Sequence, residues 1–393
     1  MAISKKIEGF ISQSSWIRKM FEDGIRLKKE YGAKNVFDFS LGNPNVEPPG
    51  RFKELLVEAA GEDLPGIHGY MPNAGLEDTR SAVAEYLCKE HSVDLSWEHI
   101  IMTCGAGGAL NVALKTLLDP GDEVIIPIPF FVEYKFYVDN HGGVSKLVET
   151  KEDFSLDFDA MNSAITEKTK VILINSPNNP TGKVYDEGSI RNLGALLEKK
   201  SKEFGKEIYL ISDEPYSTIV YDGIKVPSVF QAYKNSIIAT SYSKSMSIPG
   251  ERIGYLALNP DMADIEILTS GMVLCNRIIG FVNAPAFMQR IIGKMQGTTV
   301  DVGEYKRKRD LLCEGLWSLG YQFEKPGGAF YLFPKTPIEN DVEFVSCLQK
   351  KNILAVPGRG FGKSGHMRIA YCVDDSTIIN AMEGFGEVMK KYR

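Results

Sequence analysis

The sequence predicts an α/β fold with a mostly parallel sheet, followed by a smaller α+β domain. Between about residues 100 and 240, short β-branched strands alternate with amphipathic helices, a pattern typical of parallel sheets. The chain has 393 residues, a length that exceeds the usual size of a single domain. Of these residues 44% are hydrophobic, enough to bury a large core. A helical stretch from Met262 to about Gln296 is expected to carry the chain into the second domain.

Composition disfavours several classes of function. The formal net charge of −6 gives no basic field for nucleic acid or anionic lipid, so small-molecule substrates are expected. The six cysteines form no Cys-x-x-Cys pair and the five histidines have no ligand spacing, so neither a disulfide framework nor a metal site is predicted. No apolar run reaches membrane-spanning length and no signal peptide is evident, so we expect a cytoplasmic protein.

Polar side chains follow three successive predicted strands. These strands cover residues 171–175, 208–212 and 236–240, and they lead into Asn179, into Asp213 and Tyr216, and into Lys244. Because parallel strands end at one edge of a sheet, these groups should meet there. Pyridoxal 5′-phosphate needs such a set: a lysine for a Schiff base, a carboxylate for the pyridine nitrogen, and donors for the ring oxygen.

Two further segments suit the phosphate of that cofactor. Ser241, Ser243 and Arg252 surround Lys244 in sequence, and hydroxyls and guanidinium groups both bind phosphate oxygens. A strand ending at Thr103 turns through small residues into a helix, whose first N–H groups attract anions. The glycine pattern of this turn is not Gly-x-Gly-x-x-Gly, which makes a nicotinamide dehydrogenase a distant alternative.

Together these motifs resemble the class I/II aminotransferases, fold type I pyridoxal-phosphate enzymes of the aspartate aminotransferase superfamily. The resemblance rests on Asn178-Asn179-Pro180-Thr181-Gly182, Asp213-x-x-Tyr216 and Ser241-x-Ser243-Lys244 with Arg252, and it runs from about Val36 to Tyr371. It implies a seven-stranded sheet in an α/β/α sandwich. It also implies a large cofactor-binding domain over residues 47–290, a small domain over 291–393, and an N-terminal segment, 1–46, packed with the small domain.

The resemblance also implies roles for single residues. Gly105, Ala106 and Gly107 would form the phosphate cradle. Phe131 would stack on the cofactor ring, and Gly42 would let the backbone lie against the substrate carboxylate. Arg368, inside a predicted strand, would clamp the substrate α-carboxylate. Tyr70 would cross to the partner subunit and bind its cofactor phosphate, so the active site would need a homodimer.

The function implied is amino transfer from an L-amino acid, such as aspartate, to a 2-oxo acid such as 2-oxoglutarate, in a ping-pong cycle. Lys244 would form the Schiff base and then move the α-proton as general base and acid. Asp213 would keep the pyridine nitrogen protonated, while Asn179 and Tyr216 would steady the ring oxygen.

Alternatives stay open at this level. A carbon–sulfur β-lyase shares nearly all of these residues, and a non-catalytic cofactor-binding regulator is a third possibility. Arg277 lies close to the spacing of a second arginine that reads the distal carboxylate in the dicarboxylate-specific branch, but the surrounding sequence does not otherwise resemble that branch.

Overall fold

The structure, a computed structural model, describes residues 3–12, 16–63 and 65–392. Within these ranges the strands are β1 (Phe37–Asp38), β2 (Ile100–Thr103), β3 (Glu123–Ile128), β4 (Val144–Glu149), β5 (Thr169–Asn175), β6 (Tyr209–Asp213), β7 (Ser236–Ser241), β8 (Gly254–Leu258), β9 (Tyr331–Leu332), β10 (Ile353–Leu354), β11 (Val356–Pro357) and β12 (Met367–Ala370).

The α-helices are α1 (Lys5–Ser12), α2 (Trp16–Tyr31), α3 (Gly50–Ala60), α4 (Glu77–His91), α5 (Gly105–Leu117), α6 (Glu133–Asn140), α7 (Phe158–Ala164), α8 (Glu187–Phe204), α9 (Val229–Ala232), α10 (Tyr242–Ser245), α11 (Ile265–Ile278), α12 (Ala286–Gly293), α13 (Val302–Ser318), α14 (Asp341–Gln349) and α15 (Asp375–Lys390). No helix in the described ranges is long and apolar enough to cross a membrane.

A seven-stranded sheet forms the centre of the molecule. Its strand order is β2-β8-β7-β6-β5-β3-β4, and only β8 runs antiparallel to its neighbours. Successive residues face opposite sides: Val171 and Leu173 join one hydrophobic cluster, while Ile172 and Ile174 join the other. The sheet is therefore covered on both faces, as near-continuous apolar strands require. This arrangement confirms the predicted α/β fold with a mostly parallel seven-stranded sheet.

The reversed strand explains why residues from different parts of the chain meet. The parallel strands β5, β6 and β7 all end at one edge of the sheet, and Asn175 pairs in register with Asp213. Strand β8 begins at that same edge because it runs the other way, with Ser241 opposite Gly254. The residues just before β8, including Arg252, therefore reach the edge where the parallel strands end.

The remaining strands form two small sheets. Strand β1 pairs in parallel with β10, and β11, β12 and β9 form an antiparallel sheet. A third hydrophobic cluster joins Met20, Leu27 and Phe39 of the N-terminal region to Phe344 and Phe385 near the C-terminus. The N-terminal region thus packs against residues more than 300 positions later in the chain. The proposed division at residues 46 and 290 stays a prediction.

The helical stretch predicted from Met262 to about Gln296 is interrupted in the structure. The chain instead forms α11 and α12, separated by residues 279–285. Just before and within that gap, the Asn276 side chain donates to the Asn73 carbonyl (3.0 Å) and the Asn283 side chain to the Pro72 carbonyl (2.8 Å). These contacts anchor the segment that contains Tyr70, and Pro285 precedes the new helix.

Candidate active site

A cavity of about 310 Å³ opens at the carboxyl edge of the large sheet. Twelve of the fourteen predicted site residues line it: Gly42, Ala106, Gly107, Phe131, Asn179, Asp213, Tyr216, Ser241, Ser243, Lys244, Arg252 and Arg368. Residues that the sequence did not single out also line it, namely Leu41, Leu110, Glu133, Tyr137, Asn175, Pro215, Pro249 and Tyr331.

Lys244 lies in the short helix α10, directly after β7. Its Nζ donates a hydrogen bond to the Gly42 carbonyl at 2.7 Å and lies 5.6 Å from the centre of the Phe330 ring. Burial lowers the pKa of this lysine from 10.5 to about 8, while the nearby Cys372 thiol opposes the shift and Arg368 and Arg252 add to it. An amine with this pKa is partly neutral near neutral pH, as a nucleophile or base requires.

Asp213 ends β6 inside the protein. Its Oδ2 accepts a short hydrogen bond from the Tyr134 hydroxyl, while its Oδ1 is buried without any partner in the described structure. Burial raises the pKa of this carboxyl to about 7, against the lowering effect of the Tyr134 hydrogen bond. A buried carboxylate with one free oxygen is costly unless a donor or a cation completes it.

An asparagine pair shapes the loop after β5. Asn175 donates to the backbone carbonyl of Asp213 (2.8 Å) and accepts from the backbone N–H of Asn179 (2.7 Å). Asn175 therefore fixes the loop relative to the neighbouring strand. The Asn179 side-chain oxygen in turn accepts from Arg368 at 3.1 Å.

Arg368 is buried in β12 without an acidic partner. Its guanidinium donates to Asn179 and, at 2.6 Å, to the Ser40 carbonyl, and its centre lies 4.7 Å and 4.8 Å from the Tyr331 and Phe361 rings. Its Nε is buried with no partner, and no carboxylate of the described residues forms an ion pair with it. Burial lowers the pKa of this guanidinium. An anionic ligand would satisfy this charge.

Two tyrosines meet above Gly42. The Tyr216 and Tyr331 hydroxyls lie 2.9 Å apart, and burial raises the pKa of both phenols. A Cβ placed on Gly42 would lie 1.9 Å from the Tyr331 hydroxyl oxygen. Glycine is thus required at position 42, because any side chain would displace the tyrosine pair.

Close backbone packing brings Arg252 to the start of α5. The arginine adopts a left-handed backbone conformation (φ 52°) and donates to the Pro249 carbonyl at 3.0 Å. Gly105 has a φ of +73°, and a Cβ there would lie 2.8 Å from the Arg252 Nη2. Gly105 does not line the cavity, but its lack of a side chain lets the arginine approach the helix N-terminus.

Two residues considered from the sequence lie elsewhere. The Tyr70 side chain is 97% exposed and does not line the cavity. Arg277 is exposed on α11 and is also absent from the lining. A single chain therefore gives neither residue a contact with the site.

Helix α6 supplies part of the site that sequence reasoning missed. Glu133, Tyr134 and Tyr137 lie on this helix, which follows β3, and all three contact the cavity or its lining. In this region the sequence singles out Phe131 alone, because helical spacing does not by itself separate a packed tyrosine from a site tyrosine. The spacing at i, i+1 and i+4 places Glu133 and Tyr137 on one face of the helix.

The cavity fits pyridoxal 5′-phosphate. Asp213 offers a free buried oxygen, Lys244 a partly neutral amine, and Arg252 with the start of α5 a cationic, N–H-rich corner. A lysine, an acid for the ring nitrogen and an anion site define the pyridoxal-phosphate-dependent class of enzyme.

Comparison with known proteins identifies the family. The sequence profile of the aminotransferase class I and II family matches residues 34–385. The chain belongs to this family, and it is a pyridoxal-phosphate-dependent aminotransferase.

Several relatives match over most of their length. The chain is 32% identical to a probable aspartate aminotransferase of Methanocaldococcus jannaschii, covering 96% of this chain and 100% of that one. It is 30% identical to the aspartate aminotransferase of Pyrococcus horikoshii, covering 94% and 93%.

Solved structures give the same result. An aminotransferase from Eubacterium rectale superimposes with a TM-score of 0.97 at 41% identity, and each chain is covered completely. The Thermus thermophilus aspartate aminotransferase with maleate gives a TM-score of 0.87 at 28% identity, covering 99% of this chain and 100% of that one.

The raised pKa of Asp213 predicts that the free energy of unfolding of the cofactor-free protein depends on pH. Between about pH 4 and 7 the unfolded carboxyl is ionised while the folded one keeps its proton, so stability falls as pH rises through this window. Asp213→Asn removes this titrating group, so the variant should not lose stability in this window. The difference in free energy of unfolding, variant minus wild type, should therefore rise by up to about 1.4 kcal/mol for each pH unit. Urea unfolding at several pH values measures it.

The control is Asp159→Asn, at an exposed site on α7. The free energy of unfolding of this variant should change with pH in the same way as that of wild type. If the free energies of unfolding of wild type and Asp213→Asn change with pH in parallel, the Asp213 carboxyl is not protonated in the folded state.

Proposed function

We propose that the protein moves an amino group from a common L-amino acid to a 2-oxo acid, such as 2-oxoglutarate, in a ping-pong cycle. The observation that carries the proposal is the orphaned Asp213 oxygen, which shares one cavity with Lys244 and Arg368. Because relatives are named aspartate aminotransferases, aspartate is the first donor to test.

Each residue has a separate task in this proposal. Asp213 would hold the pyridine nitrogen, Tyr216 and Asn179 would face the ring oxygen, and Phe131 would cover the ring. The phosphate would lie between the start of α5 and a group of side chains, Ser241, Ser243 and Arg252. When bound, the cofactor supplies an electron sink for the charge released at the substrate α-carbon.

Lys244 would hold the cofactor and move the substrate α-proton. Among the described residues its amine donates a hydrogen bond to a backbone carbonyl and to no carboxylate, so no acidic hydrogen-bond partner stabilises its charged form. The lowered pKa keeps a usable fraction neutral, which a general base needs. Asn179 already contacts Arg368, so the ring-oxygen site and the carboxylate site are mechanically connected.

Absorption spectroscopy of the purified enzyme tests the proposed function. The enzyme is loaded with cofactor and given one amino acid without any oxo acid. We expect the absorption band of the aldehyde form to be replaced by that of the amine form, and a 2-oxo acid to restore it. Lys244→Ala should show no such cycle, because it removes the base.

Two other experimental results would support a different function. Release of pyruvate and ammonia from cystathionine or cysteine without amino transfer would establish a carbon–sulfur β-lyase. Cofactor binding with no turnover of a broad amino-acid panel would favour a non-catalytic regulator.

Arg368→Lys should weaken substrate use much more than cofactor binding. Lysine cannot donate two parallel hydrogen bonds to the α-carboxylate, so kcat/KM should fall about 10- to 100-fold. The matched control is Arg359→Lys, since Arg359 lies outside the cavity and pairs with Asp341 at 2.6 Å. Steady-state kinetics with one amino acid measure both variants, and equal losses would argue against a carboxylate clamp.

We also propose a homodimer in which Tyr70 completes the partner's phosphate site. An aromatic side chain that is 97% exposed in one chain supports a role in contact with a second copy. A reducing cytoplasm is the compartment we propose, as all six cysteines are free thiols.

Subunit mixing tests the shared site. Tyr70→Phe alone should lower kcat/KM about tenfold through loss of one charged hydrogen bond, and Lys244→Ala should be inactive. Coexpressed, the two variants form mixed dimers in which one site has both native residues. Activity should then recover to about a quarter of wild type, because half of the dimers are mixed and carry one intact site of two. Additive activities without recovery would contradict a shared site.

A further inference from the structure

One acidic side chain in the cavity has no task in the proposed function. Glu133 is the first residue of α6 and lines the cavity together with Tyr137, Tyr331 and Arg368. Its Oε2 is buried and has no hydrogen-bond partner, and no cation of the described residues forms an ion pair with it. A carboxylate in this position lacks the compensation that burial normally demands.

Its place at a helix start does not remove this cost. An acid at a helix N-terminus is stabilised by free N–H groups, and its own backbone N–H and the charge of Arg368 do lower the pKa of Glu133. Burial raises that pKa by more than both together. The helix start therefore accounts for only part of the requirement, and Oε2 remains without a donor.

With cofactor and substrate in the cavity, Glu133 is the charged side chain to which the proposed function gives no oppositely charged partner. In the proposed function, Arg368 meets the substrate α-carboxylate, Arg252 meets the phosphate, and Asp213 meets the ring nitrogen. The remaining component that enters the cavity is the substrate side chain. A second substrate carboxylate would bring like charges together, whereas an N–H donor would complete the acid.

We propose that Glu133 is a specificity-determining residue that accepts a hydrogen bond from an N–H donor on the substrate side chain. The enzyme then prefers amino acids with an amide or ammonium side chain over dicarboxylic ones. This inference rests on the proposed function and orders the substrates within it. The same charge disfavours 2-oxoglutarate relative to pyruvate as the amino acceptor.

Isosteric substrate pairs test the proposal. Asparagine and aspartate, and glutamine and glutamate, differ by a distal amide against a carboxylate, while alanine has no distal group. We expect wild type to favour the amide of each pair in kcat/KM. Glu133→Gln should lower the amide-to-acid ratio about tenfold or more and leave alanine nearly unchanged, because it removes the charge at constant shape.

Glu187→Gln is the matched control. Glu187 is also the first residue of a helix, α8, but it is exposed and does not line the cavity. Its ratios should equal those of wild type. If Glu133→Gln loses the cofactor absorption band, Glu133→Ala provides the second test with the same expectation.

Binding without turnover gives an independent result. Succinate and its monoamide, succinamate, cannot donate an amino group, so titration of the cofactor absorption reports their Kd alone. Glu133→Gln should bind succinate about tenfold more tightly relative to succinamate than wild type does. Unchanged ratios in both kinetics and binding, with normal alanine turnover, would overturn the role of Glu133. Absence of amino transfer from every amino acid, alanine included, would instead overturn the proposed function.

Discussion

The buried carboxylate of Asp213 is the constraint on which the rest of the site depends. Holding an acid inside an apolar sheet is unfavourable, and the Tyr134 hydroxyl offsets part of this cost by donating to one carboxyl oxygen. Asn175 donates to the backbone carbonyl of the same residue and so fixes its position. The second oxygen stays free. The neighbouring strands are set in register around this residue, with Asn175 opposite it on β5 and Ala239 opposite it on β7.

The other half of the cavity comes from distant parts of the chain. Arg368 on β12 and Tyr331 on β9 reach Asn179 and Tyr216 across the cavity. Gly42 accepts from Lys244 and leaves room for the Tyr331 hydroxyl. Packing of the small sheets against the large one therefore sets the distance between Arg368, the proposed carboxylate clamp, and Lys244.

The site residues that the sequence predicted correctly are those marked by a pattern within a few neighbouring residues. Strand ends followed by polar residues placed Asn179, Asp213 and Lys244 at one edge, and the structure brings them together because parallel strands share that edge. Glu133 and Tyr134 had no such signal, since a charged residue at a helix start is ordinary. The helical stretch predicted over 262–296 missed two local signals: Gly280, which ends the first helix with a φ of +99°, and Pro285, which directly precedes the second helix. Tyr70 depends on contacts that one chain cannot supply.

Burial also brings the two central ionisable groups to similar pKa values. It lowers that of Lys244 to about 8 and raises that of Asp213 to about 7, so both titrate near neutral pH before any ligand enters. A cation beside Asp213 stabilises its charged form, whereas Arg368 and Arg252 disfavour a charge on Lys244. A cationic ring nitrogen would therefore ionise Asp213 while the lysine stays poised to exchange a proton. The same desolvation that destabilises the empty cavity thus prepares both groups for the chemistry of amino transfer.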